Sequence, residues 1–507
     1  MPALAARAAS RASNGACDRT AVSRSKCLSG NALANASSAH SARHSLAAPE
    51  MTPSITSVGA GASLTGVVGD RGVAAAFSSM DRNARLASFG DRIARLASSA
   101  RSFVSMMFFF GVVGGVVASE ASFSFSPAPS SPSSSSSSSE TVKSWRVNKT
   151  GALSGMTLVE DDAIAPPGPG EARVHVKAIG LNFADVFSVL GLYQATPPTP
   201  FVPGLECCGV VTALGPPRAD LPEGTVVPDL KVGDSVMCVT RFGAYATKVN
   251  APTHQTRKLP AGWTHEQGAA FLVQGLTAYY ALRALGNVRK GHTVLVHSAA
   301  GGCGLFGLGI CEAVGARAVA TVGSASKKEI ILARHPTMRE DAIVVRDRRR
   351  FGEQVKAAAL VASGGVSDEC DVVMDAVMGD FFKGGWDNLA KTGRYVVYGA
   401  ADLTPAGDLG LSGWVKLAWK YVRRPFVDPM NLPGVNKSVM GFNLIWMFDK
   451  IVELGELLAG LEALKLKPPT IGRRFRFDEL PTALRTFQSG GTTGKVVVLV
   501  PDEEEEE

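Results

Sequence analysis

The chain is short of the spacings that hold zinc. Its eight cysteines are Cys17, Cys27, Cys207, Cys208, Cys238, Cys303, Cys311 and Cys370, and no two stand as C-x-x-C. A four-cysteine structural zinc lobe and a C-x-x-C redox dithiol are thereby excluded, and a reducing compartment is expected. Acids are equally scarce at the amino terminus, where Asp18 is the only one before Glu50. Arginines such as Arg7, Arg11, Arg19, Arg24, Arg82, Arg85, Arg92 and Arg95 therefore supply much of the net charge of +7. Because that excess sits outside the region with folding patterns, it does not point to a nucleic-acid partner.

Residues 1–48 are rich in Ala, Ser and Arg, the composition of an organellar transit peptide, with plastid expected first and mitochondrion second. The apolar run Phe103–Ala118 is short against the about 20 residues of a relaxed membrane span. It suits a second, export-type signal or a membrane anchor, with a buried core helix as the third reading. "SPAPSSPSSSSSSSE", residues 126–140, cannot build a core and reads as a flexible linker that closes a disordered extension, 1–140. The acidic end, 502–507, reads as a solvated tail.

With 507 residues the chain has room for more than one domain. Short runs such as "ARVHVKAIG", "CCGVVTALG" and "SVMCVT", broken by Gly, Pro and Asp, predict a mostly β domain over 141–265. From 266 to 465 strands alternate with helical stretches, which predicts a doubly wound parallel sheet covered on both faces. The expected strands are Thr293–His297, Ala318–Val322, Ala342–Val345, Cys370–Met374 and Tyr395–Tyr398. Residues 466–501 return to strand, short helix and strand and are expected to rejoin the first domain.

In "VLVHSAAGGCGLFGLG", Gly302, Gly304 and Gly307 fall at G-x-G-x-x-G spacing between a strand and a helix expected from Leu305. Glycines there let the backbone turn and approach a pyrophosphate, and the helix N-terminus faces that anion. The turn therefore predicts a dinucleotide. At the end of the next strand, where an acid would bind a free ribose 2′-hydroxyl, stands "TVGSASKKE", with Ser324, Lys327 and Lys328. Cations without a carboxylate suit a 2′-phosphate, so NADPH is expected over NADH.

With "GLNFADVFSVLGLY", "PFVPGLECCGVVTALG", "GLTAYYAL", "VLVHSAAGGCG", "CDVVMDAVMG" and "TTGKVVVLVP" in this order, the sequence resembles the medium-chain dehydrogenase/reductase superfamily. Within it the likeness is to the zinc-free quinone oxidoreductase group, nearest the vesicle amine transport protein branch. The resemblance implies an α/β fold with a GroES-like β domain around an inserted Rossmann domain, and hydride transfer from NADPH to a quinone or α,β-unsaturated carbonyl. It implies no metal: Asn182 and Leu205 stand where zinc-dependent members carry ligands, and Glu206 alone holds no zinc.

By the same resemblance Asn182 and Tyr193 are the catalytic candidates, and Thr277 lies with Asn182 near the nicotinamide. Ala300, Gly301, Gly302, Cys303 and Gly304 cradle the pyrophosphate, Ser324 and Lys327 face the 2′-phosphate, and Gly399 and Lys495 line the cofactor cleft. Arg346 either joins the 2′-phosphate site or opens the solvated run "RDRRR". The Tyr193 phenol either donates a proton or closes the cleft by packing. Asp185 reads as a cap of its local turn, and His297 as a hydrogen-bonded structural histidine. Two other readings stand beside the first: an enoyl-thioester reductase, and a non-catalytic nucleotide-binding protein at a membrane. Membrane contact would run through 103–118 or through the aromatic and basic segment 411–438, whose other roles would be a lid or a subunit contact. A homodimer is expected on the resemblance alone.

Overall fold

The computed structural model describes residues 141–501 apart from 162, 405, 406 and 408–410. The expected targeting segment, the apolar run 103–118, the serine-rich linker and the acidic tail lie outside the described residues.

The first strands are β1 (Val142–Val147), β2 (Met156–Asp161), β3 (Glu171–Gly180), β4 (Glu206–Leu214), β5 (Ser235–Val239), β6 (Lys248–Pro252) and β7 (Thr256–Lys258). Alternation along β3 sends Ala172, Val174, Val176 and Ala178 inward, the period-2 signature of a sheet with one covered face. Next come β8 (Thr293–Val296), β9 (Arg317–Val322), β10 (Ile343–Val345), β11 (Cys370–Asp375), β12 (Leu389–Val397) and β13 (Ser438–Gly441). β8 is "TVLV", buried at every position, as a central strand covered on both faces must be. The last two strands are β14 (Ile471–Arg476) and β15 (Lys495–Leu499).

Among the described residues these form three sheets. β1 pairs with β2; six strands run β10-β9-β8-β11-β12-β13; and seven assemble as β14-β15-β3-β4-β5-β7 with β6 on β3. Every pairing in the six-stranded sheet is parallel. Its order reverses between β8 and β11, which creates the crevice at the strands' carboxyl ends where doubly wound sheets bind ligands. Because β15 lies between β14 and β3, the chain's end is built into the sheet formed by its beginning.

Three differences from the sequence reading have local causes. β12 starts at Leu389, six residues before Tyr395, because Leu389 pairs with Cys370 despite the turn-like Lys391-Thr392-Gly393, where Thr392 takes φ +68°. β13 was not anticipated: it is short, "SVMG", and is held by parallel pairing with β12. The helix after the glycine turn begins at Gly302 rather than Leu305.

Candidate active site

The glycine turn closes the carboxyl end of β8. Gly301 caps the helix Gly302–Val314, and Ser298 takes φ +50°. A Cβ on Gly304 would stand 2.4 Å from the Ser298 carbonyl oxygen, so the helix can approach β8 this closely only without a side chain. A Cβ on Gly302 would meet the Gln274 amide at 1.6 Å. Ala300 accepts a hydrogen bond from Gly494 N at 2.8 Å, which ties the turn to the start of β15. The resulting helix N-terminus presents its N–H groups at the crevice, as an anionic pyrophosphate requires. Cys303 lies half-buried in this first turn. Desolvation pushes its thiol up to about 12, so packing describes it better than thiolate reactivity.

At the ends of β9 and β10 the structure brings Ser324, Lys327 and Arg346 together. Arg346 is drawn inward: Nη1 donates to Thr321 Oγ1 at 3.2 Å and to Ser298 Oγ at 3.4 Å, and the guanidinium lies 5.3 Å from the Phe381 ring centre. It thus belongs to the crevice, whereas Arg348 and Arg350 pair on the surface with Asp380 and Glu353. Lys327 Nζ donates to the Gly490 and Thr492 carbonyls at 2.8 and 3.1 Å. Desolvation first, then Arg346, lowers its pKa. Two cations facing one place, with the Ser324 hydroxyl near and no acid between them, fit a 2′-phosphate. Lys328 turns away to Glu340.

Where the two domains meet, Lys495, Glu206 and Asn182 form a closed cluster. Lys495 is 0 % exposed and Glu206 1 %. Lys495 Nζ donates to Glu206 Oε1 at 2.5 Å and to Asn182 Oδ1 at 2.8 Å, while Asn182 Nδ2 donates to Glu206 Oε1 at 3.0 Å. Glu206 Oε2 accepts from Val273 N at 3.0 Å, and Thr277 Oγ1 donates to the Val273 carbonyl at 2.7 Å. The cluster therefore orders the helix Leu272–Tyr279, which carries both Thr277 and Gln274. A divalent cation does not fit here. Both Glu206 oxygens are engaged, an ammonium occupies the centre, and no group of three His, Cys, Asp or Glu stands together among the described residues.

Beneath this cluster Asp185 Oδ2 accepts from Asn182 N and from the Tyr245 hydroxyl, each at 2.8 Å. Asp185 caps its turn as expected, but burial raises its pKa to about 7. Tyr193 donates its hydroxyl to Asn443 Oδ1 at 2.8 Å, across 250 residues of sequence. Desolvation is the main reason that its phenol is pushed up to about 12. Gly399 follows β12 with its Cβ position 3.2 Å from the Ala376 carbonyl. His297 is buried as expected, yet neither ring nitrogen has a hydrogen-bond partner among the described residues, and Asp375 stays 4.0 Å away. Its pKa is lowered, chiefly by desolvation, so it stays neutral. Cys207 and Cys208 face opposite ways, one into each of two cores.

Sequence reasoning missed Gln274, Tyr398 and Asn443, and it read Glu206 only as an insufficient zinc ligand. Glu206 and Lys495 carried a usable signal: a charge inside an apolar strand must find a partner. Gln274, whose buried Oε1 has no partner among the described residues, carried none.

Comparison with known proteins agrees with this geometry. Residues 168–261 match the alcohol dehydrogenase GroES-like domain, and 350–498 match a family described as zinc-binding dehydrogenase. The zinc in that description has no donor set at the Lys495 cluster. A synaptic vesicle membrane protein VAT-1 homolog from Rattus norvegicus is 34% identical over 360 residues, 70% of this chain and 83% of the relative. A mycobacterial protein solved in complex with NADPH superposes with a TM-score of 0.57 at 29% identity, over 71% of this chain and 99% of that one. The quinone oxidoreductase of Thermus thermophilus, also solved with NADPH, gives 0.52 at 27% identity, over 70% and 99%. The chain belongs to the medium-chain dehydrogenase/reductase superfamily, in the zinc-free quinone oxidoreductase group and its VAT-1 branch.

Proposed function

We propose that this chain is an NADPH-dependent oxidoreductase whose acceptor is a quinone or an α,β-unsaturated carbonyl, reduced without zinc. The observation that carries the reading is the pair of inward cations, Lys327 and Arg346, beside the glycine-turn helix N-terminus. Bound NADPH supplies the hydride. The chain's residues bind and orient it: the turn from Ala300 to Gly304 receives the pyrophosphate, and Ser324, Lys327 and Arg346 receive the 2′-phosphate. Thr277, Asn182 and Lys495 stand on the nicotinamide side. A simple ketone or alcohol would need its oxygen strongly polarised, and the Lys495 ammonium is already committed to Glu206 and Asn182. An acceptor that is electrophilic by conjugation has no such need. The quinone oxidoreductase named above supports that substrate class.

The test follows NADPH oxidation by the full chain with quinone and enone acceptors, beside NADH and the variants Lys327→Ala and Arg346→Ala. Turnover with NADPH that loses cofactor affinity in both variants supports the proposal. Cofactor binding without reduction of any acceptor moves the non-catalytic nucleotide-binding reading ahead.

Three further proposals concern location and partners. The composition of 1–48 supports import into a plastid. In 411–438, Val415 and Trp419 are 63% and 62% exposed on the helix Leu411–Val422, beside Lys416, which supports membrane contact. β13 ends its sheet among the described residues, and pairing along that edge supports a homodimer.

A further inference from the structure

The crevice wall opposite the glycine turn is aromatic. Tyr398 follows β12 and Phe442 follows β13, so both stand at carboxyl ends of the parallel sheet, on the same rim as Cys303. Phe442 N donates to the Val397 carbonyl, which fixes the two segments side by side. Their rings lie nearly parallel at 22° with centres 6.2 Å apart, and Tyr280 meets Phe442 edge-on at 4.9 Å. Asn443, the next residue, holds Tyr193 at the mouth.

The hydroxyls of Tyr193, Tyr245 and Tyr395 are committed to Asn443, Asp185 and Asp375. The half-buried Tyr398 has no side-chain hydrogen-bond partner among the described residues. Desolvation, aided by Cys303 and Asp375, holds its pKa well above the usual phenol value. The hydroxyl therefore keeps its hydrogen throughout the physiological pH range, and a half-buried donor without a partner is open to a ligand atom.

We infer that Tyr398 donates a hydrogen bond to the acceptor's oxygen while Phe442 supplies the flat wall beside it, so that the cleft takes a planar ring, a quinone in preference to an acyclic enone. The inference rests on the oxidoreductase reading and narrows its substrate. A ring gains both area and offset stacking against such a wall. An acyclic enone keeps the hydrogen bond but loses most of the stacking. Tyr193, with its hydroxyl already given to Asn443, is left the role of closing the mouth.

The test uses the full-length protein with a naphthoquinone and an acyclic 2-alkenal. Tyr398→Phe is expected to lower kcat/KM for the naphthoquinone by about a hundredfold to a thousandfold, the range for loss of one preorganised donor at a developing oxyanion. Its NADPH dissociation constant, read from cofactor fluorescence, should not change. Phe442→Leu should raise KM for the naphthoquinone more than for the alkenal. Full quinone activity in Tyr398→Phe, a parallel loss of NADPH affinity, or a wild type that prefers the alkenal would overturn the inference and leave the oxidoreductase reading intact. If the wild type reduces neither acceptor, that reading fails and binding decides this one. Quenching of bound NADPH fluorescence by the naphthoquinone should then be present in the wild type and weakened in Tyr398→Phe. No quenching, or equal quenching in both, overturns it.

Discussion

Lys495 and Glu206, 289 residues apart in sequence, form an ion pair at 2.5 Å with both side chains sealed from solvent. The pair joins the first residue of β15 to the first of β4 and fixes where the chain's end meets the cleft. Removing one partner of a buried pair leaves an uncompensated charge, a loss of about 3–5 kcal/mol. Lys495→Met and Glu206→Gln should each lower the urea midpoint accordingly. The double variant should be less destabilised than the sum of the two, because it strands no charge. Additive losses in a double-mutant cycle would show that the two side chains do not act as a pair.

The 2′-phosphate assignment separates the two cofactors. Lys327→Ala and Arg346→Ala each remove a charge-assisted bond of about 1.5–3 kcal/mol, so KM for NADPH should rise about tenfold to a hundredfold. KM for NADH should change little, since no 2′-phosphate is present to miss the cation. Steady-state rates with the two cofactors decide it. Equal losses with both would place these side chains on another part of the nucleotide.

The turn, the alternation and the parallel order were legible because they rest on local pattern: glycines at fixed spacing, apolar runs for β8 and β11, period 2 along β3. What stayed hidden is non-local. Glu206 could be seen in "GLECC", but its partner lies at the other end of the domain, and only the pairing of β15 with β3 beside β4 brings them together. The bond from Tyr193 to Asn443 likewise depends on how the two domains meet, so the sequence left proton donation and closure equally open. β12 was read short because "KTG" resembles a turn, while pairing with β11 overrides that preference. His297 was expected to be hydrogen-bonded on residue type alone; its two nitrogens find no partner among the described residues because Asp375 spends its oxygens on Val377 N, Met378 N and the Tyr395 hydroxyl.

Asp185 makes stability depend on pH in a stated direction. Burial raises its folded pKa to about 7, from the ordinary aspartate value of about 3.9, so between those values the native state holds a proton that the unfolded state has released. Stability from this group is fully present below about pH 4 and is lost as pH rises through about 7, with a slope of up to about 1.4 kcal/mol per pH unit. Asp185→Asn keeps an oxygen to accept from Asn182 N and the Tyr245 hydroxyl, and it cannot ionise. Denaturant titrations at pH 5 and pH 8 should therefore show a smaller drop in the variant than in the wild type. An equal drop would assign the slope to other groups.

The two glycines that open the nucleotide turn should respond differently to the same methyl group. At Gly304 a Cβ would meet backbone, the Ser298 oxygen at 2.4 Å and the Ala299 Cα at 2.5 Å. Neither can move without shifting the helix Gly302–Val314 off β8, so Gly304→Ala should lower thermal stability and weaken NADPH binding together. At Gly302 the nearest atoms belong to the Gln274 side chain, whose Oε1 has no hydrogen bond among the described residues to lose. That amide can rotate away, which leaves the fold largely intact but moves a polar group beside the helix N-terminus. Gly302→Ala should accordingly melt close to the wild type, with its effect confined to the NADPH dissociation constant. Paired melting curves and cofactor titrations check both variants. If Gly302→Ala proved as unstable as Gly304→Ala, Gln274 would have to be a fixed strut of the turn rather than a movable neighbour.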